Sequence, residues 1–449
     1  MIFIVLGMIV ALYAVKNYRI ALCFYIGFKL LLVTNITLLS LPGLPLLTLE
    51  DALNIYFVIM FFFKRNKNKS LICYKYELPW QLPFVILFIC ISVSSILGIA
   101  SISSEITALI KYSFENFLLI WVMWNVLENK ADFNLITKIV TVVMFLSCLY
   151  GFVEYIIQYN PLQLYEATLN NDVSKAITFT YSTTERGYRV NSIFSHAIGA
   201  GMNWGIYSSF VLYKYIQDKK AIPWMLFSEV TAILCLVCLL LTKMRSPILF
   251  FAISCVGAFR LKKKRSYFVA CLFIMGVFAF IVLGGNNSVI FQVVASLFSS
   301  ATKSMVGGSS LELRMIQLNA ALNLISSSPV FGLGTKYQRV LNTSLYSDIL
   351  GSEGMLLYVL PAYGFVGLFA YINMYMYSIV KLPKYFKSRQ LFFLMLGYVM
   401  TYLLSSLPGM KMHLLYLFAF YLIKSSTRYR SYDGPKKKEL ERGKIRFIY

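Results

Sequence analysis

Five basic residues, Arg189, Arg245, Arg314, Lys336 and Arg339, border long apolar runs in a chain that is 59% hydrophobic and only 14% charged. Charge fixed at the edge of a membrane span is costly and therefore informative. A guanidinium stays ionised and grips a phosphate through two parallel N–H donors. If the five converge they form a site for a phosphate-bearing anion; the alternative is that each reaches the headgroups independently along its own aliphatic stem. Glu353, in "LGSEGMLLYVLPAYGFVG", lies where a span begins. A carboxylate half buried at that depth has a raised pKa and can act as a base, or it is an acid favoured by the positive end of a helix dipole. His196 opens another span in "NSIFSHAIGAG" and reads as a structural hydrogen-bonding group or a catalytic one.

These residues need elements to position them, and composition says which. No ordinary soluble domain of 449 residues has this balance of apolar and charged residues. Runs near the ~20 residues that cross a bilayer as helix recur thirteen times, at 1–15, 20–40, 44–63, 80–100, 106–126, 134–156, 193–213, 222–242, 246–260, 266–284, 355–380, 391–407 and 409–423. The expected fold is an all-α polytopic membrane protein of 12–13 spans: one integral domain over 1–423 and a basic tail over 424–449. The first run has no basic leader and no clear cleavage site before "KNYR", so it is expected to remain as a span.

The net charge of +23 is mostly topology. With the N-terminus outside, alternating loops and the tail place 30 of the 42 Lys and Arg in the cytoplasm, as the positive-inside rule requires. The basic excess then serves orientation and contact with membrane lipids, with no nucleic-acid role. Two loops are long, 157–192 and 285–354, and both fall outside. The second holds "LELRMIQLNAALNLISSSPVFGLG", whose Leu313, Ile316, Leu318, Ala320, Ala321, Leu324 and Ile325 predict an amphipathic helix with Arg314 and Gln317 off the apolar stripe, stopped by a Pro-x-x-Gly-x-Gly turn. Within spans, Lys111 and Glu115 are four apart and expected to neutralise each other, and Lys29 is expected to pair with Glu50 or Asp51. The eight cysteines lie in spans or a cytoplasmic loop and predict no disulfide framework; "CLVC" at 235–238 reads as packing. Two histidines and no acidic pair at ligand spacing give no basis for a metal.

Four segments in order, "RVNSIFSHAIGAG", "LLLTKMRSPILFF", "LRMIQLNAALNLISSSPVFGLGTKY" and "SEGMLLYVLPAYGFVGL", resemble the O-antigen polymerase and ligase superfamily. The match is carried by Arg189, Arg245, Arg314, Pro329, Gly332, Gly334, Gly364 and Gly367. In the ligases the last motif begins His-Asn; here Glu353-Gly354 stands instead, which favours a Wzy-type polymerase over a ligase. The resemblance implies a GT-C-like glycosyltransferase in the bacterial inner membrane, with its C-terminus cytoplasmic and its long outer loops holding an undecaprenyl-diphosphate-linked oligosaccharide. It implies repeat-unit polymerisation into O-antigen or capsule, with Arg189, Arg245 and Arg314 stabilising the departing diphosphate and Glu353 activating the acceptor. Lys336, Arg339, His196, Gly332 and Gly334 would bind substrate. No cofactor is implied; a chain-length regulator protein is a further expected partner. The competing class, a flippase or other transporter, usually has short outer loops and calls for an internal repeat that is not evident here.

Overall fold

Apolar runs free of Pro-Gly clusters become helix, and here they do so in order: α1 (Ile2–Lys16), α2 (Tyr18–Leu31), α3 (Leu49–Lys67), α4 (Gln81–Ile96) and α5 (Ile102–Ser113), which passes through a π-helical turn (Phe114–Leu118) into α6 (Leu119–Val126). Then come α7 (Lys130–Ile157), short α8 (Pro161–Leu169), α9 (Ala197–Gln217), α10 (Pro223–Leu241), α11 (Arg245–Ala258), α12 (Leu311–Ile325) and α13 (Met355–Met376). A second π turn (Tyr377–Lys381) leads to α14 (Leu382–Phe386), α15 (Arg389–Leu404) and α16 (Met412–Ser425). This computed structural model describes residues 2–32, 36–39, 47–67, 78–128, 130–169, 188–217, 223–258, 311–341, 354–407 and 410–426. Among them, Ile102–Val126, Lys130–Ile157, Trp224–Leu241 and Met355–Phe386 are long and apolar enough to cross a membrane, with shorter apolar helices beside them. The chain is a mostly helical, multi-pass membrane protein.

Twelve of the thirteen expected spans contain a helix; the span expected at 266–284 lies outside the described residues, as do most of both long loops and the tail beyond 426. One boundary is corrected. The span expected at 20–40 ends at Leu31, and the chain is not wholly α: Thr37–Leu39 pairs antiparallel with Leu47–Thr48, Thr37 opposite Thr48. The sequence there, "VTNITLLSLPGLP", is rich in β-branched residues and carries two prolines, which oppose helix.

Packing follows small residues. α11 lies along α15 and α9, and α13 along α4. A Cβ on Gly201 of α9 would meet Pro247 of α11 at 2.7 Å, and one on Gly257 of α11 would meet Gln390 of α15 at 2.5 Å. Such close backbone approach holds helices together where lipid removes the hydrophobic drive between them. At one end of the bundle, basic side chains donate to the last carbonyls of neighbouring helices: Lys424 to Trp124 (2.6 Å) and Leu127 (2.5 Å), Arg389 to Val256 (3.3 Å) and Lys64 to Val15. Cations stabilise that end of a helix by offsetting its dipole.

Near the other end, charges interlock across four elements. Lys29 lies 3.0 Å from Glu50 and 3.4 Å from Glu115, Lys411 lies 2.9 Å from Glu50, and Lys111 lies 2.6 Å from Asp51. The expected Lys29–Glu50 pair is present. The expected Lys111–Glu115 pair is replaced, because the π turn beginning at Phe114 shifts the register between them and directs Glu115 to α2. Glu50 therefore holds two buried ammonium groups. Removing one partner of a buried pair costs about 3–5 kcal/mol, so Glu50→Ala is expected to lower the melting temperature of the detergent-solubilised protein steeply. Glu50→Gln should fall between the two. A wild-type melting curve for Glu50→Ala would mean that water already solvates Lys29 and Lys411.

Candidate functional site

The Pro-x-x-Gly-x-Gly turn is joined to α13 through backbone alone. Gly364 breaks α13 with φ 62°. The groups that an unbroken helix pairs with each other, the carbonyls of Pro361 and Ala362 and the N–H groups of Phe365 and Val366, pair instead with the turn. Leu333 and Gly334 donate to Pro361 and Ala362 at 2.8 and 2.9 Å, while Phe365 and Val366 donate to Pro329 and Val330 at 3.0 and 3.1 Å. A Cβ on Gly332 would lie 2.6 Å from the 362–364 backbone, and one on Gly364 2.4 Å from the Val330 carbonyl. Both glycines are required by this approach. The far side of the turn is fixed by the buried carboxylate of Glu105, which accepts from the Thr335 and Lys336 N–H groups at 3.0 and 2.7 Å.

This joint orients α12, which packs on α13. Its inward face differs from the one its apolar residues predict. Ile316 is 45% exposed while Gln317 is 6% exposed, and Ala321, Leu324 and Ile325 are buried. The helix is turned so that Arg314 and Gln317 look toward the protein, three residues apart on one face. Arg314 Nη2 donates to the Leu404 carbonyl at the end of α15, 2.9 Å away. Gln317 Oε1 is buried with no hydrogen-bond partner among the described residues.

Arg314 also lies within electrostatic reach of Arg245. Arg245 is the first residue of α11, where the helix dipole is positive and a cation is disfavoured. Its Nε and Nη2 are buried and make no hydrogen bond among the described residues. Two residues earlier, Lys243 occupies a left-handed turn with φ 53°. Burial, and after it the neighbouring Arg189 guanidinium, push the Lys243 ammonium below its ordinary pKa. Arg189 is brought there by the Val190 N–H, which bonds to the Leu241 carbonyl at 3.4 Å. Arg189, Lys243, Arg245 and Arg314 thus gather around the N-terminus of α11. A buried guanidinium, a helix N-terminus and clustered positive charge are groups suited to an anion.

A second buried carboxylate holds the Arg189 segment. Glu154, wholly buried near the end of α7, accepts from Tyr188 Oη (2.8 Å), Asn191 N–H (3.0 Å) and Ser192 N–H (2.5 Å). Its two oxygens serve these donors. Glu105 and Glu154 are thus the anchors of the turn and of the Arg189 strand.

Residues 230–372 match the Wzy_C family model, O-Antigen ligase. The match spans α11, α12, the glycine turn and the Gly364 break, and it supports the O-antigen polymerase and ligase superfamily without dividing polymerase from ligase. Members of that family are glycosyl-transferring enzymes of glycan assembly. No curated protein matches the chain.

Of the residues singled out by sequence, Arg189, Arg245 and Arg314 come together. His196 Nδ1 accepts the Ile198 N–H at 3.0 Å and so caps the start of α9. Gly332 and Gly334 direct their N–H groups to Ser328 and Ala362, within the joint. Lys336 lies on the other face of the turn, against a cavity of about 380 Å³. Arg339 falls in the 3₁₀ turn Tyr337–Arg339, with its side chain outside the described residues, and Glu353 lies outside them altogether. Lys243, Glu105, Glu154 and Gln317 went unread in the sequence as site residues. An acid inside "LYGFVEYII" was the signal available for Glu154.

Gly364→Ala is expected to lower both melting temperature and activity. Its backbone lies in a positive-φ region essentially confined to glycine, which costs another residue about 1–3 kcal/mol, and a Cβ would overlap the Val330 carbonyl. An unchanged melting curve would show that the turn does not hold α13 open.

Proposed function

We propose that the protein joins lipid-linked oligosaccharide repeat units into polymer, on the outer side of the cytoplasmic membrane, with a polyprenyl diphosphate as leaving group. The observation that carries this reading is Arg245, whose buried Nε and Nη2 have no hydrogen-bond partner among the described residues and which lies beside Arg189, Lys243 and Arg314. A hydroxyl of the acceptor sugar attacks the anomeric carbon of the donor. The bond from that carbon to the diphosphate oxygen breaks, and its electron pair leaves on the diphosphate. Negative charge grows on the leaving group, so donors fixed beforehand around its phosphates favour the transition state over the ground state. Gln317 Oε1 offers an acceptor for a sugar hydroxyl beside the same phosphates. We assign the hydroxyl proton to Glu353, which stands where the ligases of the superfamily carry His. The same charge pattern that gathers basic side chains on helix C-termini at the opposite end makes that end cytoplasmic under the positive-inside rule. The long loops, the N-terminus and the arginines then face outward, as does the lipid-linked glycan.

Arg→Lys at 189, 245 or 314 is expected to lower transfer about 10²–10³-fold, the usual loss for one fixed donor at a developing anion, because a point charge cannot replace the two-pronged guanidinium. Purified protein acting on extracted lipid-linked repeat units measures it. Full polymer length from the Lys variants at normal abundance would overturn the shared phosphate site. Glu353→Gln keeps shape and loses the base, and is expected to yield single repeats only. A deletion strain separates the two activities of the superfamily. Single repeats still transferred to their final carrier mean polymerase, whereas polymer stranded on the lipid diphosphate means ligase.

A further inference from the structure

The cavity beside the glycine turn lies between α4, α5, α13, α15 and α16, with Thr335 and Lys336 forming part of its wall. Its lining is unusual for the interior of a membrane protein. The chain has 36 Phe and 32 Tyr, yet the cavity is lined by eight tyrosines, 112, 358, 363, 371, 375, 398, 402 and 416, and by two phenylalanines. Phenylalanine would fill the same space without the cost of burying a hydroxyl. Lys111, Glu115 and Asn116 add further polar groups, the last two from the π turn. Several rings present parallel faces: Tyr398 stacks with Tyr402 at 6.0 Å and 12°, and Tyr363 with Tyr371 at 6.1 Å and 22°. At about 380 Å³ the space falls in the ~300–1,000 Å³ range of ligand sites.

Hydroxyls at the rim of flat aromatic faces, with one amide, one carboxylate and two ammonium groups, match a pyranose ring. Such a ring has an apolar C–H face to lay on an aromatic plane and an equatorial belt of hydroxyls to pair. A polyprenyl chain would strand the polar groups. The cavity also shares walls with the anion site. Leu404, whose carbonyl takes Arg314, lies between Tyr402 and Leu407 of the cavity lining, and Lys336 follows the turn that orients α12.

We propose that this tyrosine chamber is a carbohydrate subsite that receives sugar rings of the lipid-linked glycan while the arginines hold its diphosphate. The assignment rests on the glycosyl-transfer reading, but it can be tested apart from it. Ala108 of α5 lines the chamber and is 8% exposed, so Ala108→Phe fills the space without deleting a group. The probes are the oligosaccharide released by mild acid from the lipid-linked pool, inorganic diphosphate, and undecaprenyl diphosphate. Each is scored by its upward shift of the melting temperature of the full-length protein in detergent. The oligosaccharide is expected to stabilise the wild type and lose that effect in Ala108→Phe, while inorganic diphosphate stabilises both and polymer formation is lost. Oligosaccharide stabilisation that survives in Ala108→Phe overturns the assignment. So does loss of undecaprenyl diphosphate binding alone, since the chamber would then hold lipid. If Ala108→Phe does not fold, the Tyr402→Phe, Tyr416→Phe double variant, which keeps both rings, is judged by the same outcomes. Failure of the phosphate reading looks different: inorganic diphosphate leaves the wild type unshifted, whatever the oligosaccharide does.

Discussion

A peptide group left unpaired in hydrocarbon costs several kcal/mol, and no water is at hand to relieve it. α13 is nevertheless broken inside its apolar run, at Gly364, and the break is tolerated because another piece of backbone fills it. The residues from Pro329 to Gly334 take up two carbonyls and two N–H groups that the helix gives up. Much else at this end of the bundle depends on that exchange. It fixes the C-terminal limit of α12, and with it the face on which Arg314 and Gln317 lie. It also turns Tyr358 and Tyr363, ahead of the break, and Tyr371 and Tyr375, beyond it, toward one cavity. The turn is thus a structural joint first, and its glycines serve chemistry by what they let approach rather than by what they touch.

The two ends of the bundle use cations in opposite ways. At one end, Lys424 and Arg389 sit on helix C-terminal carbonyls, where the dipole favours them. At the other, Arg245 starts a helix, where the dipole opposes it, and Lys243, Arg189 and Arg314 add to the positive field. Among the described residues, Glu154 and Glu105 are engaged by backbone N–H groups, and Glu50 is held between Lys29 and Lys411. Clustered positive charge of this kind is stabilised when an anion arrives. That difference in energy between empty and occupied states is what a phosphate site needs.

What the sequence made legible follows from how local each signal is. Spans were legible because twenty apolar residues are a local property, and the arginines because charges at span edges are few. The Lys29–Glu50 pair could be anticipated, since an isolated charge in a span needs a partner. The Lys111–Glu115 pairing failed because a π turn, invisible to a rule of four, lies between the two residues. Gln317 was read as outward because polar residues usually are, yet its neighbours in space are set by the joint at Gly364, forty-seven positions further along the chain. Glu105 and Glu154 were missed for a related reason. A carboxylate near a span end is favoured by dipole or solvent as well as by any specific donor, and only the non-local fold shows that each binds two backbone N–H groups.

On the proposed reading, the chemistry divides along the wall formed by residues 402–407. Phosphates are alike in every polyprenyl-linked donor, so the arginine cluster has no means of distinguishing one glycan from another, nor a polymerase from a ligase. Discrimination has to come from surfaces that meet sugar, because hydrogen-bonding sites reject a partner that lacks the matching hydroxyl far more strongly than apolar pockets do. The tyrosine chamber is built of such groups, and it belongs to α4, α5, α15 and α16 as much as to α13. Residues 230–372, which match the family model, include α13 and the glycine turn but none of those other four walls. Lys243, Arg245 and Arg314 of the cluster lie within that match and Arg189 before it, while the chamber takes its Tyr112, Tyr398, Tyr402 and Tyr416 from outside, so the family match by itself does not define the surface that would meet sugar.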